Sequence, residues 1–137
     1  MYKRGTKRPS GKRSKLEDQF ATILTESGVP EHYEVKKLKY VIPATDHNYL
    51  VDFSLENGID IECKGYLRDS DERWKYELIK EQYPEVDLRF VFANPDKPIS
   101  RTKMTHADWC DKVGFKWCGI KDTETIKEWA NEPNRRK

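Results

Sequence analysis

Val51-Asp52-Phe53-Ser54-Leu55-Glu56-Asn57-Gly58-Ile59-Asp60-Ile61-Glu62-Cys63-Lys64 is the stretch that decides the fold. Two runs of alternating apolar and polar residues flank an Asn-Gly pair, the pattern of a β-hairpin. Parity sets its loop length. A two-residue turn at Asn57-Gly58 would pair Asp52 with Cys63 and Phe53 with Glu62, putting carboxylates on the apolar face. A three-residue loop, Glu56-Asn57-Gly58 with Gly58 in the left-handed conformation, pairs Leu55 with Ile59, Phe53 with Ile61, Val51 with Cys63 and Asp52 with Glu62. Apolar side chains then face one another, and the two acids meet on a polar face. Cross-strand Cβ atoms lie about 4.5 to 5.5 Å apart, so two carboxylates there repel unless a cation sits between them or one is protonated. The pair predicts a divalent metal site, and Lys64, on the same face as Glu62, lies within reach of whatever the metal holds.

The flanking elements follow from caps and periodicity. Ser14-Lys15-Leu16-Glu17 has the form of a capping box, and Leu16, Phe20, Ile23 and Leu24 carry an amphipathic helix over about 14–27, closed by Gly28 and Pro30. Residues 33–42 read as a strand that runs into Pro43-Ala44-Thr45-Asp46-His47-Asn48, a polar connector ahead of the hairpin. Downstream, Asp69 or Ser70 caps a helix over roughly 71–83, with Trp74 and Leu78, and Tyr76, Ile79 and Tyr83, as apolar rows and Pro84 as its stop. The nearly continuous apolar run 86–92 predicts a central strand. Thr105 caps a short helix ending at Gly114, residues 115–118 form a brief strand, and Thr123 opens a last helix. The expected class is α/β (α+β) in the order α-β-β-β-α-β-α, with a mixed sheet flanked by helices. Trp109, Trp117 and Trp129 are expected in the core.

At 137 residues the chain is one domain by size. Charged residues make up 36% of it, and its longest apolar stretch, Phe90-Val91-Phe92-Ala93, falls far short of the roughly 20 residues that span a bilayer. No membrane partner is expected. The basic N-terminus is not followed by an apolar run of signal-peptide length, so the expected location is the cytoplasm. Cys63, Cys110 and Cys118 read as free thiols, because a zinc site from Cys110, Cys118 and His106 lacks a second close ligand pair. His32, His47 and His106 carry no assignable chemistry.

Charge is strongly asymmetric. Lys3, Arg4, Lys7, Arg8, Lys12, Arg13 and Lys15 stand at the start with no acid among them, Arg135, Arg136 and Lys137 at the end, and all 24 acids lie between. The expected organisation is a basic arm over 1–13, a globular domain over 14–132 and a basic tail over 133–137. The arm reads as disordered until it meets a polyanion, or else as a solubilising tail. Metal-type acids in the body favour nucleic acid, with those seven basic residues as the DNA contacts.

In a charge-rich chain, Asp52 followed by Glu62-x-Lys64 is a common string. Its place on a hairpin after a helix, ahead of a helix and a strand, resembles the core of the restriction-endonuclease-like PD-(D/E)xK nucleases. Val51 replaces the proline usual before the first acid. Cys63 takes the variable position, where in such sites the backbone carbonyl ligates. Within that superfamily, Leu16-Glu17-Asp18, Tyr40-Val41-Ile42-Pro43-Ala44, Val51-Asp52-Phe53, Asn57-Gly58-Ile59, Glu62-Cys63-Lys64-Gly65, Ser70-Asp71-Glu72-Arg73 and Arg89-Phe90-Val91-Phe92 resemble the phage endonuclease I family of Holliday-junction resolvases.

That resemblance implies hydrolysis of DNA at four-way junctions and other branches with one or two Mg²⁺ per site, Mn²⁺ substituting, and no small-molecule cofactor. Asp52 would bridge the metals, Glu62 and the Cys63 carbonyl would complete one site and Glu17 the other, and Lys64 would orient or deprotonate the attacking water or hold negative charge on phosphorus. It also implies an intertwined homodimer, with strands exchanged through a 43–48 bridge and Glu17 of one subunit completing the hairpin site of the other. Products would carry 5′-phosphate and 3′-hydroxyl ends. For Glu17 the capping box competes with the metal for one carboxylate. Two rival readings stand beside this one: a restriction or repair nuclease of linear duplex on the same core, and a nucleic-acid-binding protein that never cuts, with Asp52 and Glu62 merely solvated.

Overall fold

The hairpin closes in the register that parity requires. In the computed structural model, which describes residues 8–42 and 45–134, β3 (Phe53–Ser54) pairs antiparallel with β4 (Ile59–Lys64), Phe53 opposite Ile61 and Ser54 opposite Asp60. Leu55 N–H donates to the Ile59 carbonyl at 2.8 Å, and Gly58 takes φ 95°, a left-handed turn position that a Cβ would strain. Asn57 locks the loop to the C-terminal segment, its amide donating to the carbonyls of Trp129 (2.8 Å) and Glu132 (3.1 Å).

From β4 the chain crosses through α2 (Ser70–Gln82) to β5 (Asp87–Phe92), then through α3 (His106–Val113) to β6 (Trp117–Gly119), and ends in α4 (Thr123–Ala130). The main sheet runs β3-β4-β5-β6, with β4, β5 and β6 mutually parallel. It is a mixed α/β sheet with β5 in its interior. Leu88, Phe90 and Phe92 pack on one face beneath Tyr76 and Ile79 of α2 and Trp109 of α3. Val91 points the other way, into a second core with Leu16, Phe20 and Leu24 of α1 (Lys15–Glu26) and Ile126 and Trp129 of α4. Coverage on both faces is why this strand reads as a nearly continuous apolar run, broken by Asp87 and by Arg89, whose buried guanidinium pairs with Asp87 and Glu132. Phe20 is fully buried, 4.9 Å from the Phe53 ring between centroids, and its truncation to alanine is expected to cost about 3–5 kcal/mol. Trp109 and Trp129 are buried as expected, and Trp117 packs partly buried at the edge of the first core.

Four expectations need correction. The polar connector is in large part a strand: β2 (Thr45–Leu50) pairs antiparallel with β1 (Lys37–Ile42) over six residue pairs, forming a separate two-stranded sheet. Its backbone finds partners along β1 while Asp46 and Asn48 stay exposed, so an edge hairpin can be polar in sequence. Secondly, β2 does not run straight into β3. The chain bends at 51–52, which sends Val51 into the core beneath α2 while Cys63 stays in the core beneath α1, so the two side chains do not pair. Thirdly, the hairpin has no solvated polar face. The parallel register puts Asp60, Glu62 and Lys64 alongside Leu88, Phe90 and Phe92, where Glu62 and Lys64 meet Tyr76 and Glu72 of α2, Asp60 pairs with Lys36, and both Asp60 and Glu62 are buried. Finally, Trp74 is 42% exposed and belongs to no apolar row.

The basic arm is also less separate than its composition implies. Residues 8–13 pack against the start of α1: Arg8 pairs with Asp18 (2.7 Å), Lys12 is buried and pairs with Glu31, and Arg13 pairs with Glu34 (2.9 Å). Lys15 is exposed. Lys3, Arg4 and Lys7, like Arg135, Arg136 and Lys137, lie outside the described residues. Among the described residues no helix is long and apolar enough to cross a membrane.

Candidate active site

Three elements converge at the open end of the β3–β4 hairpin. Ser14 caps α1 by accepting the Glu17 N–H (3.1 Å), but the Glu17 carboxylate does not return to Ser14. Its Oε1 accepts the Arg13 N–H and the Tyr33 hydroxyl, each at 2.8 Å. Burial, then the bond to Glu17, pushes the Tyr33 phenol up, so it remains a protonated donor. The segment before β1 runs beside β3, with Tyr33 bridging Phe53 and the Glu34 N–H donating to the Asp52 carbonyl at 2.9 Å. Glu34 takes φ 52°, a left-handed conformation uncommon for a non-glycine residue. The result is a cluster in which one carboxylate oxygen each from Glu17, Glu34 and Asp52 lies within 4.8 Å of the others.

Asp52 is 2% exposed, and its Oδ2 accepts the Cys63 N–H at 2.9 Å. The acid of the first strand is thereby tied to the variable position of the second. Cys63 itself offers no thiolate: burial, then the charges of Asp52 and Glu62, pushes its thiol well up. Glu62 does not belong to the three-carboxylate group. It accepts from two phenols, Tyr49 of β2 and Tyr76 of α2, the latter at 2.8 Å. Burial, then the Glu62 charge, raises both tyrosines far above their ordinary values, so both serve as donors.

Lys64 shares the Glu62 face, with Nζ 3.9 Å from Glu62 Oε2, but its closer partner is Glu72 at 2.5 Å. Glu72 sits in the first turn of α2, whose N-cap Asp69 accepts its N–H, and its carboxylate accepts the Arg68 N–H at 2.8 Å. Burial would raise its pKa, yet the Lys64 charge and the two hydrogen bonds outweigh burial and hold the carboxyl below its usual range.

The donor set can be tested for a metal on its chemistry. Glu17, Glu34 and Asp52 supply only carboxylate oxygens, Glu17 and Asp52 are buried, and the Glu34 side chain is 6% exposed. Hard oxygen ligands with net negative charge fit Mg²⁺, Mn²⁺ or Ca²⁺, not zinc, which prefers imidazole and thiolate. His106 is fully buried and uses both ring nitrogens, Nε2 accepting the Leu67 N–H (2.9 Å) and Nδ1–H donating to the Lys97 carbonyl (2.7 Å), which leaves neither for zinc.

Of the residues expected from sequence, Asp52 and Glu17 come together within one chain, and Glu62 and Lys64 lie beside each other under α2. Sequence reading missed Glu34, Glu72, Tyr49 and Tyr76. For Glu72 a signal existed, since Asp69-x-x-Glu72 repeats the cap pattern of Ser14-x-x-Glu17, and each glutamate accepts the N–H of an arginine just before its cap. Glu34 gave none, because only the pairing of its backbone with Asp52 carries it to the site.

The whole chain, residues 1–137, matches the family described as phage endonuclease I. It is 40% identical to Endonuclease I of Escherichia phage T7 over 96% of this chain and 87% of that protein. It is 46% identical to Endodeoxyribonuclease 1 of Enterobacteria phage T3 over 75% of this chain and 68% of that protein.

Proposed function

Since the chain belongs to the phage endonuclease I family, we propose that it is an endodeoxyribonuclease that cuts four-way junctions and other branched DNA with a divalent metal, Mg²⁺ in the cell and Mn²⁺ as a substitute. The observation that carries this reading is the convergence of Glu17, Glu34 and Asp52 at the end of a hairpin whose second strand also holds Glu62 and Lys64. A divalent ion held by these carboxylates supplies an activated water and neutralises charge on the phosphodiester. Asp52, fixed by the Cys63 N–H, holds the centre of the site, and Glu17 closes it from α1. Glu62 and the Cys63 carbonyl would complete the site from β4, Glu62 giving up a bond from Tyr49 or Tyr76 to do so. Lys64, ion-paired with Glu72, offers a fixed positive charge to the developing phosphorane. That pairing favours charge stabilisation over proton abstraction by Lys64.

Basic residues of the arm, Lys3, Arg4, Lys7, Arg8, Lys12 and Arg13, together with Lys15 at the start of α1, are the proposed phosphate contacts. For Arg8, Lys12 and Arg13 this requires exchange of an acidic side chain for a phosphate. The protein acts as a homodimer, whose two-fold axis suits two symmetric cuts in a junction, and works in the host cytoplasm. Incubating a four-way junction and a linear duplex of the same sequence with Mg²⁺ or Ca²⁺, using wild type and Asp52→Asn, tests the reading. Junction cuts by wild type in Mg²⁺ alone support it. Equal cutting of the linear duplex would reassign the chain to a duplex nuclease, and cutting by Asp52→Asn at wild-type rate would overturn the site.

A further inference from the structure

Three carboxylates within 4.8 Å of one another need a countercharge when no metal is bound, and one residue touches two of them in two different ways. Arg13 donates its backbone N–H to Glu17 Oε1 at 2.8 Å, and its guanidinium reaches Glu34 with Nε at 2.9 Å from Oε2 and Nη2 at 3.4 Å from Oε1. The same backbone N–H lies 3.2 Å from the Tyr33 hydroxyl, which itself donates to Glu17. Arg13 is therefore built into the second layer of the cluster, although it is one of the arm residues suited to phosphate. Its side chain is 24% exposed, so the guanidinium can swing to solvent while the backbone bond to Glu17 stays in place.

We propose that Arg13 is the exchangeable counter-cation of this centre: its guanidinium neutralises Glu34 in the metal-free enzyme, a divalent ion taken up by Glu17, Glu34 and Asp52 displaces it, and the released guanidinium binds a DNA phosphate. Glu34 is then a further metal-binding residue, and metal and DNA strengthen each other's binding through Arg13. This inference rests on the metal-dependent reading above. The coupling has a physical source, since the fork that grips a carboxylate has the geometry that grips a phosphate.

Calorimetric titration of the metal-free full-length protein with Mn²⁺ tests it without measuring cleavage. Glu34→Gln should bind Mn²⁺ about tenfold more weakly and Arg13→Gln about tenfold more tightly, the scale of one charge-assisted hydrogen bond. In the double variant the gain from removing Arg13 should vanish, because no Glu34 charge remains to compete for. Thermal melting of each variant checks that the fold is kept, and Arg13→Lys, which keeps the charge but loses the fork, should fall between wild type and Arg13→Gln. Fluorescence-monitored binding of a four-way junction should tighten on adding Ca²⁺ for wild type and change less for Arg13→Gln. Wild-type Mn²⁺ affinity in Arg13→Gln, or a gain that persists undiminished without Glu34, would overturn the proposal. Asp52→Asn separates the two levels: if it loses Mn²⁺ while the Arg13 and Glu34 variants bind it with wild-type affinity, the metal site stands and only the exchange falls. If it too binds normally, the metal-dependent reading fails with it.

Discussion

Replacing Glu72 by glutamine removes one charge and preserves the shape of the side chain. Its carboxylate accepts the Lys64 ammonium at 2.5 Å and the Arg68 N–H at 2.8 Å, with side-chain exposures of 2% for Glu72 and 11% for Lys64. The glutamine carbonyl can still accept the Arg68 N–H, so what is lost is the charge on a buried, charge-assisted bond. About 1.5–3 kcal/mol of stability at neutral pH is the expected cost. The pH dependence has a definite sign. Because Glu72 is held below its ordinary value of 4.5, the folded protein binds fewer protons than the unfolded chain in the interval beneath that value. The contribution is complete above about pH 4.5 and is lost as pH falls through the lower folded value. Urea denaturation of wild type and Glu72→Gln from neutral pH to about pH 3 should show a gap that closes in acid. In cleavage assays the same variant should lower kcat more than it raises KM, since Lys64 loses the partner that aims it. A stability gap that is absent at neutral pH, or that persists unchanged into acid, would refute the argument.

Two other perturbations have equally specific expectations. Tyr76→Phe keeps the ring against Phe90 and Trp109 but removes one of the two phenols on Glu62, and should cost about 1.5–3 kcal/mol by urea denaturation without metal. If Glu62 turns to the metal, that penalty shrinks in saturating Mn²⁺; an unchanged penalty would mean that Glu62 stays with the tyrosines. His106 is held neutral by burial, which lowers its pKa below 6.5, so the unfolded chain binds the extra proton first and stability declines as pH falls below about 6.5 toward the folded value. His106→Gln should flatten that slope in pH-dependent thermal melts, and an unaltered slope would assign it elsewhere.

Register and helices were legible because they depend on neighbours in the chain. Leu55, Phe53 and Ile61 carry enough parity to choose a three-residue loop, and the caps at Ser14, Asp69 and Thr105 mark three helix starts directly. What parity could not tell is what covers each face. Glu62 and Lys64 look solvated when the hairpin is read alone, but the parallel crossover lays α2 across them and brings Tyr76 and Glu72 from residues too distant for a local pattern. The strand β2 was hidden for the opposite reason, since an edge needs backbone partners more than apolar side chains. The site divides along the same line. Asp52, Glu62 and Lys64 are legible as one hairpin, whereas Glu34 depends on a left-handed residue pinned to the Asp52 carbonyl, a tertiary event without a local signature.

Where the chain divides also decides what a dimer could exchange. Arg13, Glu17, Tyr33 and Glu34 precede the 43–44 segment, and Asp52, Glu62, Lys64 and Glu72 follow it, while their contacts close within one chain. Exchange through a bridge at 43–48 would preserve each contact and change only which chain owns which half. Mixing two inactive variants separates the cases. In a homodimer without exchange, a heterodimer of Glu17→Gln and Asp52→Asn has one defect in each site and stays inactive. With exchange, one site collects both defects and the other receives Glu17 and Asp52 intact, so junction nicking returns. After co-refolding at equal concentrations, about half of the dimers should be mixed, each with one working site, giving roughly a quarter of wild-type sites by random pairing of subunits. No recovery, with heterodimers shown to form by differential tagging, would mean that each chain builds its own centre.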